Sequence, residues 1–200
     1  MYTPNHYKNE DLKQVRDFIK SNSFGILVNQ VDGKPWATHI PIELNTDEVG
    51  KDILVSHISK ANPQWKSFNE QEEVLCIFNG PHTYVSSSWY KDEEVPTWNY
   101  IAVHVYGKIT ILSEEEVLAS MHKLVDKYER DSKESISLHD MSDKTMAQIR
   151  GVVGFKIEIT DIQATYKLSQ GREQDHAKII SELKERDAGA KAIATKMEEK

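Results

Sequence analysis

The sequence has a single cysteine, which excludes an internal disulfide, and only 9 glycines and 6 prolines among 200 residues. This scarcity excludes collagen-like and low-complexity classes. No stretch approaches the roughly 18 consecutive apolar residues of a membrane-spanning helix, and the first residues lack the basic and apolar regions of a signal peptide. We therefore expect a cytoplasmic protein with an ordinary hydrophobic core and no membrane partner. Cys76 lies in the apolar run 74–78 and is expected to be buried.

Basic residues are also fewer than acidic ones. Lys and Arg number 25 against 32 Asp and Glu, which gives a formal net charge of −7. A nucleic-acid interface needs a basic face, so this balance disfavours DNA as a partner without excluding a local patch. The candidate basic side chains near the C-terminus alternate with glutamates, which favours a solvated face of mixed charge. These cations are Lys178, Lys184, Arg186, Lys191 and Lys196.

The common catalytic motifs are absent as well. The chain has no glycine-rich dinucleotide or phosphate loop, no HExxH, no CxxC and no GxSxG. Four of the eight histidines, His39, His57, His82 and His104, fall on different predicted strands. Each is most simply a hydrogen-bonded sheet histidine, although four strands of one barrel could bring the rings to one cavity. The sequence therefore predicts no metal site and no catalytic residue.

Hydrophobic periodicity predicts many short strands with a few helices. Alternating apolar residues predict strands at 24–31, 36–44, 53–58, 74–78, 83–86, 100–112 and 152–166. Spacings of three and four, with caps, predict helices at 9–19, 113–130 and 142–150, a short helix from Asn62-Pro63 and one from Glu173. The charged stretch 187–200 is expected to be a solvated helix that frays. The pattern predicts an α+β domain built on a barrel over residues 1–170, with a helical extension over 171–200.

The junction between the third strand and the short helix could bind an anion. His57, Ser59 and Lys60 supply donors just before a helix that Asn62 caps, and a helix N-terminus attracts negative charge. A phosphate site and a purely structural cap fit this spacing equally well. Trp65 could pack the short helix against the barrel.

A second concentration of aromatic residues lies in the segment 84–100. Trp89 and Trp98 occur there with three tyrosines, and the segment between these tryptophans, continuing to Asn99, is predicted to be a loop before the strand at 100–112. Such rings suit stacking on a planar ligand, anchoring of a subunit interface, or core packing. The sequence alone does not distinguish these uses.

Several blocks in register resemble the PaiB family. The blocks are Gly33-Lys34-Pro35-Trp36-Ala37-Thr38-His39-Ile40-Pro41, Ala61-Asn62-Pro63-Gln64-Trp65, Gly80-Pro81-His82-Thr83-Tyr84-Val85-Ser86, Ser88-Trp89-Tyr90, Val95-Pro96-Thr97-Trp98-Asn99-Tyr100, Val103-His104-Val105-Tyr106-Gly107 and Tyr166-Lys167-Leu168-Ser169-Gln170. Members of that family are described as FMN-binding negative regulators of transcription that repress protease synthesis and sporulation. The resemblance runs in order from the first residues to about Lys184.

The resemblance implies a fold, a cofactor and a set of site residues. The fold is the antiparallel, Greek-key-like FMN-binding split β-barrel with flanking helices, and the assembly is a homodimer with FMN at the subunit interface. Carried over by position, the strand residues Ala37, Thr38, His39, Ile40 and Pro41 would flank the isoalloxazine, and Ser56, His57, Ser59, Lys60, Asn62 and Trp65 would approach the phosphate. Trp89, Trp98 and Asn99 would line the interface from the partner chain, and Lys167, Ser169 and Gln170 would lie near the ligand pocket.

Two other functions are compatible with the same fold. An FMN-dependent oxidoreductase would use the flavin for redox chemistry, and a haem-binding protein could use His57 or His104 as an axial ligand. The resemblance favours a ligand-binding regulator over an enzyme.

Overall fold

The computed structural model describes residues 1–69 and 71–199, and in this part the chain forms six β-strands and five α-helices. The strands are β1 (Phe24–Val31), β2 (Lys34–Thr46), β3 (Asp52–Ser59), β4 (Glu73–Val85), β5 (Thr97–Ile111) and β6 (Val152–Lys167). The helices are α1 (Leu12–Ser21), α2 (Glu114–Glu129), α3 (Asp143–Met146), α4 (His176–Lys184) and α5 (Ala188–Glu198). The strands are hydrogen-bonded in the order β1-β2-β3-β6-β5-β4 and close into a barrel. The predicted α+β barrel is confirmed.

The chain divides into two compact units, and the longer strands pass from one to the other. Unit 1 comprises residues 1–22, 77–104 and 162–200, and unit 2 comprises residues 23–76 and 105–161. The boundary that the sequence predicts near residue 170 falls inside unit 1 and stays a prediction. Within the described residues, no helix is both long enough and apolar enough to cross a membrane.

Unit 2 is organised by the β1–β2 hairpin. Asp32 and Gly33 both have positive φ, 50° and 75°, which is the backbone that a two-residue primed turn requires. The turn sets a register in which Phe24 pairs with Pro41, and β2 then pairs antiparallel with β3. Because side chains alternate along a strand, Ile42 and Leu54 are buried in the core of this unit.

Helix α2 begins as the sequence predicts. The Ser113 side chain accepts from the backbone of Glu116, and the Glu116 carboxylate accepts from the Ser113 backbone, so the capping box is present. The helix packs on β6 at Gly154, where an added Cβ would lie 2.5 Å from the Val117 side chain. Glycine at that position therefore permits the close approach of helix and strand.

Strand β4, which runs from unit 2 into unit 1, was divided in two by the sequence pattern. Residues 74–78 and 83–86 were predicted as separate strands around Gly80-Pro81, but β4 runs continuously from Glu73 to Val85. Gly80 lies within the strand and not at its end. It leaves room for Phe18, whose ring would lie 2.4 Å from an added Cβ. Similarly, the predicted loop before β5 ends earlier than expected, so that Trp98 and Asn99 lie on the strand.

The C-terminal residues form a helix, as predicted, but the prediction that this helix is solvated is wrong. Helix α5 buries Ala190, Ile193, Ala194 and Met197 within unit 1, and the first three are fully inaccessible to solvent. Small side chains allow this close packing: an added Cβ at Gly189 would lie 3.2 Å from the His82 carbonyl oxygen. The low apolar content of this segment therefore led the sequence pattern to predict an exposed helix, whereas the helix is part of the core.

Candidate functional site

The centre of the candidate site in unit 2 is a hydrogen-bonded group that joins the short helix to β2. Asn62 caps that helix, a 3₁₀-helix over Pro63–Ser67, by accepting from the Gln64 backbone N–H at 3.0 Å. Its amide nitrogen donates to Thr38 Oγ1 at 3.0 Å, and the Thr38 hydroxyl donates to Gln64 Oε1 at 2.5 Å. The predicted site residues Thr38 and Asn62 are therefore in direct contact.

Gln64 holds this group in place. Its side chain is completely buried, and its Nε2 donates to Asn29 Oδ1 at 2.8 Å and to the carbonyl oxygens of Leu27 and Trp36 at 3.3 and 3.4 Å. A buried amide is costly unless its polar atoms are paired, and here both ends have partners. Gln64 thus fixes the helix against the β1–β2 hairpin.

The turn that precedes the helix presents a cation. The Lys60 backbone N–H donates to the Gly151 carbonyl at 2.8 Å, and its side-chain Nζ donates to the Arg150 carbonyl at 3.1 Å. The indole Nε1 of Trp65 donates to the Lys60 carbonyl at 2.9 Å, so both predicted residues lie at one turn. An ammonium carries three protons, and this exposed side chain keeps donors for a ligand.

The donors at this turn fit a phosphate, but the reason differs from the one that the sequence suggested. The helix contributes little as an anion site, because it is only five residues long, Pro63 has no N–H and the Gln64 N–H is taken by the cap. The available groups are the Lys60 ammonium and the Ser59 hydroxyl, whose oxygen accepts from Ala61 while its proton stays available. A lysine and a hydroxyl suit the phosphate of FMN.

The strand next to this turn offers an open face. Ala37 and His39 are exposed on β2, Pro41 is partly exposed, and Ile40 points into the core. The His39 ring lies 6.4 Å from the ring of Phe24, which is itself exposed on β1. Apart from Ile40, the strand residues predicted to flank the isoalloxazine are accessible to a planar ligand.

Ser56 and His57 occupy opposite faces of β3. Ser56 is buried, and its hydroxyl donates to the Pro41 carbonyl at 2.5 Å, so it links β3 to β2. His57 points to the other side and lines a cavity of about 580 Å³ together with Pro41 and residues of α2. Burial lowers the pKa of His57 below its ordinary value, which favours the neutral imidazole.

The predicted aromatic residues of unit 1 have different environments. Trp89 is buried, with the Arg186 guanidinium 4.5 Å from its ring centroid. Trp98 is 53% exposed and packs beside His82 and Tyr84, with ring centroids 5.6 and 6.2 Å away. Trp98 is therefore the tryptophan of this pair that is available to a partner or a ligand.

The remaining predicted residues, Asn99, Lys167, Ser169 and Gln170, line one pocket of unit 1. Asn99 is buried, and its Nδ2 donates to Ser169 Oγ at 2.8 Å. The Lys167 ammonium donates to the Thr97 hydroxyl, and burial lowers the pKa of Lys167. The resemblance had placed Asn99 with Trp89 and Trp98 at a subunit interface and the other three near the ligand, and these roles stay predictions. Tyr7 and Arg172, which line the same pocket, carried no signal in the sequence.

The strand histidines do not form a metal centre. Among the described residues, no group of three or more His, Cys, Asp or Glu side chains could hold a metal ion. His104 is notable for a buried Nδ1 without a hydrogen-bond partner in this part of the chain, and burial is the main cause of its lowered pKa. Cys76 is fully buried, as predicted, and burial raises the pKa of its thiol.

The closed six-stranded antiparallel barrel with its flanking helices is a split-barrel fold. The sequence profile described as "Putative FMN-binding domain" matches residues 1–161, and the chain belongs to that family. The protein is 41% identical over 203 residues to the protease synthase and sporulation protein PAI 2 of Bacillus subtilis, covering all of this chain and 98% of that one.

Solved structures agree with the fold. The flavocytochrome Anf3 of Azotobacter vinelandii superposes with a TM-score of 0.62 at 14% identity, over 80% of this chain and 69% of that one. An FAD and heme binding protein of Mycobacterium smegmatis also gives 0.62, at 13% identity, over 80% and 73% of the two chains. At these identities the likeness concerns the fold alone.

Proposed function

We propose that this protein is a cytoplasmic, homodimeric FMN-binding regulator that represses transcription. The observation that carries the flavin part is the Thr38, Asn62 and Gln64 group, which joins the short helix after the Lys60 turn to β2. The regulatory part is supported by the resemblance of the chain, over its full length, to the sporulation protein PAI 2 of Bacillus subtilis.

In this proposal, Lys60 and Ser59 hold the FMN phosphate, and the β2 residues Ala37, His39 and Pro41, which share one face of the strand, hold the ring. Lys60 neutralises part of the phosphate charge, and the buried Gln64 keeps the turn preorganised, which reduces the entropy lost on binding. Bound FMN would supply redox chemistry, whereas these side chains bind and orient it.

The proposal predicts that FMN affinity depends on the Lys60 charge. Titration of the purified protein with FMN, followed by quenching of flavin fluorescence, would measure the dissociation constant of the wild type and of Lys60→Met. We expect affinity to fall about tenfold or more, since a hydrogen bond to a charged group contributes about 1.5–3 kcal/mol.

The matched control is Lys66→Met, which removes an exposed lysine from the 3₁₀-helix that follows the same turn. Its affinity should equal that of the wild type. Equal affinities for the Lys60 and Lys66 variants would show that the flavin, if bound, is held elsewhere.

A second copy of the chain would complete the site in the proposed homodimer. Phe24 is 67% exposed on β1 and shares the open face of the hairpin with its register partner Pro41, so this face presents a large apolar side chain to solvent. Exposed apolar groups of this kind mark interaction surfaces. A homodimer formed through this hairpin would also cover the β2 face that the proposal assigns to the flavin ring.

The proposed repression does not use the C-terminal helices as a DNA surface. Lys178 pairs with Glu182, Lys184 with Glu198 and Lys196 with Glu199. Paired cations release few counterions on binding a phosphate backbone. In a gel-shift titration at low salt, Lys184→Met should not change whatever DNA binding the wild type shows. A DNA complex that is sensitive to salt and that Lys184→Met weakens would contradict this part of the proposal.

A further inference from the structure

A polar pocket of unit 1 has its own set of ligand-binding groups. It has a volume of about 380 Å³ and is lined by residues that include Tyr7, Tyr90, Asn99, Lys167, Gln170 and Arg172. This volume lies in the range of small-molecule sites. We call it the Lys167 pocket, because that side chain carries its uncompensated charge.

Lys167 lacks an acidic partner. Its ammonium donates to the Thr97 hydroxyl and lies 5.6 Å from the Tyr7 ring centroid. Among the described residues, no carboxylate lies within ion-pair distance of its Nζ. Burial lowers the pKa of this lysine, which indicates that its charge is poorly solvated. An anion in the pocket would relieve that cost.

The other charges of the pocket nearly cancel. The Arg172 guanidinium is paired with the Glu94 carboxylate, and it also lies 5.9 Å from the Tyr90 ring centroid. With that pair neutralised, the pocket keeps the single positive charge of Lys167. Its charge therefore suits a monoanionic group better than a dication or a neutral apolar molecule.

The turn beside Lys167 is rigid and strained. Ser169 has a φ of 59°, which is costly for a residue other than glycine, and its backbone carbonyl is bonded to the His176 Nε2 at 2.9 Å. The Gln170 side chain accepts from the Leu168 N–H at 2.7 Å and donates to the Tyr166 carbonyl at 2.5 Å. Hydrogen bonds on both sides of the turn therefore keep Ser169 in this unfavourable backbone conformation.

One residue that lines the pocket also carries an unsatisfied polar atom. Asn99 is completely buried, and its Oδ1 has no hydrogen-bond partner among the described residues. A buried acceptor without a partner costs about 1–3 kcal/mol, so it calls for an explanation. Strained backbone and unpaired polar groups cluster at ligand sites, where binding offsets their cost.

We propose that the Lys167 pocket binds a small organic carboxylate, with the carboxylate group paired to the Lys167 ammonium. The resemblance places Lys167, Ser169 and Gln170 near the flavin, whereas this proposal gives their pocket in unit 1 a ligand of its own that does not depend on the Lys60 turn in unit 2. In a protein that regulates transcription, such a site would sense a small metabolite.

The test uses benzoate as a carboxylate probe and benzamide as its neutral analogue, each titrated into the full-length protein by isothermal calorimetry. We expect saturable benzoate binding and much weaker benzamide binding. Lys167→Met should weaken benzoate binding about tenfold or more, by loss of a charge-assisted bond. Lys167→Arg keeps the charge and should retain most of the affinity.

Lys178→Met is the matched control, because Lys178 lies in unit 1 but is exposed and paired with Glu182. It should bind benzoate as the wild type does, and thermal unfolding should show that every variant is folded. Absence of saturable benzoate binding, or equal binding by the Lys167→Met and Lys178→Met variants, would overturn the proposal. Loss of benzoate binding in the presence of saturating FMN would also overturn it, since the pocket would then belong to the flavin site.

Discussion

Replacing Gln64 by leucine tests how the candidate flavin site is held together. Leucine has a similar size but cannot accept from Thr38 or donate to Asn29 and the Leu27 carbonyl. Each hydrogen bond contributes about 1 kcal/mol net, and a buried group left unpaired costs about 1–3 kcal/mol. Thr38 and Asn29 are partly exposed and can recover water, which limits the loss. We expect unfolding free energy to fall by about 2–4 kcal/mol.

Urea denaturation followed by tryptophan fluorescence would measure this change. The control is Gln30→Leu, an exposed glutamine on β1, which should alter stability by less than about 0.5 kcal/mol. FMN affinity should also fall in Gln64→Leu, because the Lys60 turn loses its attachment to β2. A Gln64→Leu protein as stable as the Gln30→Leu control, with unchanged FMN affinity, would refute the role that we assign to this glutamine.

Three further predictions follow from other parts of the structure. Gly107→Ala should destabilise by about 3 kcal/mol in urea melts, because its Cβ would lie 2.4 Å from the Glu158 carbonyl oxygen, whereas Gly151→Ala, with open space, should cost little. Burial lowers the pKa of His57 below 6.5, so between the pKa values of the folded and unfolded states the unfolded chain binds more protons. The unfolding free energy should therefore fall as the pH drops through that window. The His57→Gln variant should flatten this dependence in urea melts at several pH values, and an unchanged slope would contradict it. Phe24→Ser should shift the protein from dimer to monomer in light scattering, and a wild type that is already monomeric would contradict the proposed assembly.

The sequence predicted the locally encoded features well. The Asp32-Gly33 turn and the capping box at Ser113 depend on neighbouring residues, so their patterns identify them directly. Asn62 before Pro63 likewise predicted the start of the short helix. Alternation likewise located most strands, although it split β4 in two and began β5 too late.

Features that depend on distant contacts could not be predicted in this way. The burial of Gln64 arises because the β1–β2 hairpin surrounds it, and nothing in its local sequence distinguishes it from an exposed glutamine. Helix α5 reads as solvated because alanines and charges dominate it, yet small side chains let it pack closely on unit 1. The Lys167 pocket joins residues from three separated segments, so only the fold brings Tyr7 and Tyr90 to Lys167.

The measurement that tests the account most directly compares FMN with riboflavin, which lacks the phosphate. In fluorescence titrations, the wild type should bind FMN about tenfold or more tightly than riboflavin, because Lys60 pairs with the phosphate. In Lys60→Met, this preference should largely disappear while riboflavin affinity stays the same. An FMN preference that is unchanged in Lys60→Met, or a wild type that binds neither flavin, would contradict the proposed site.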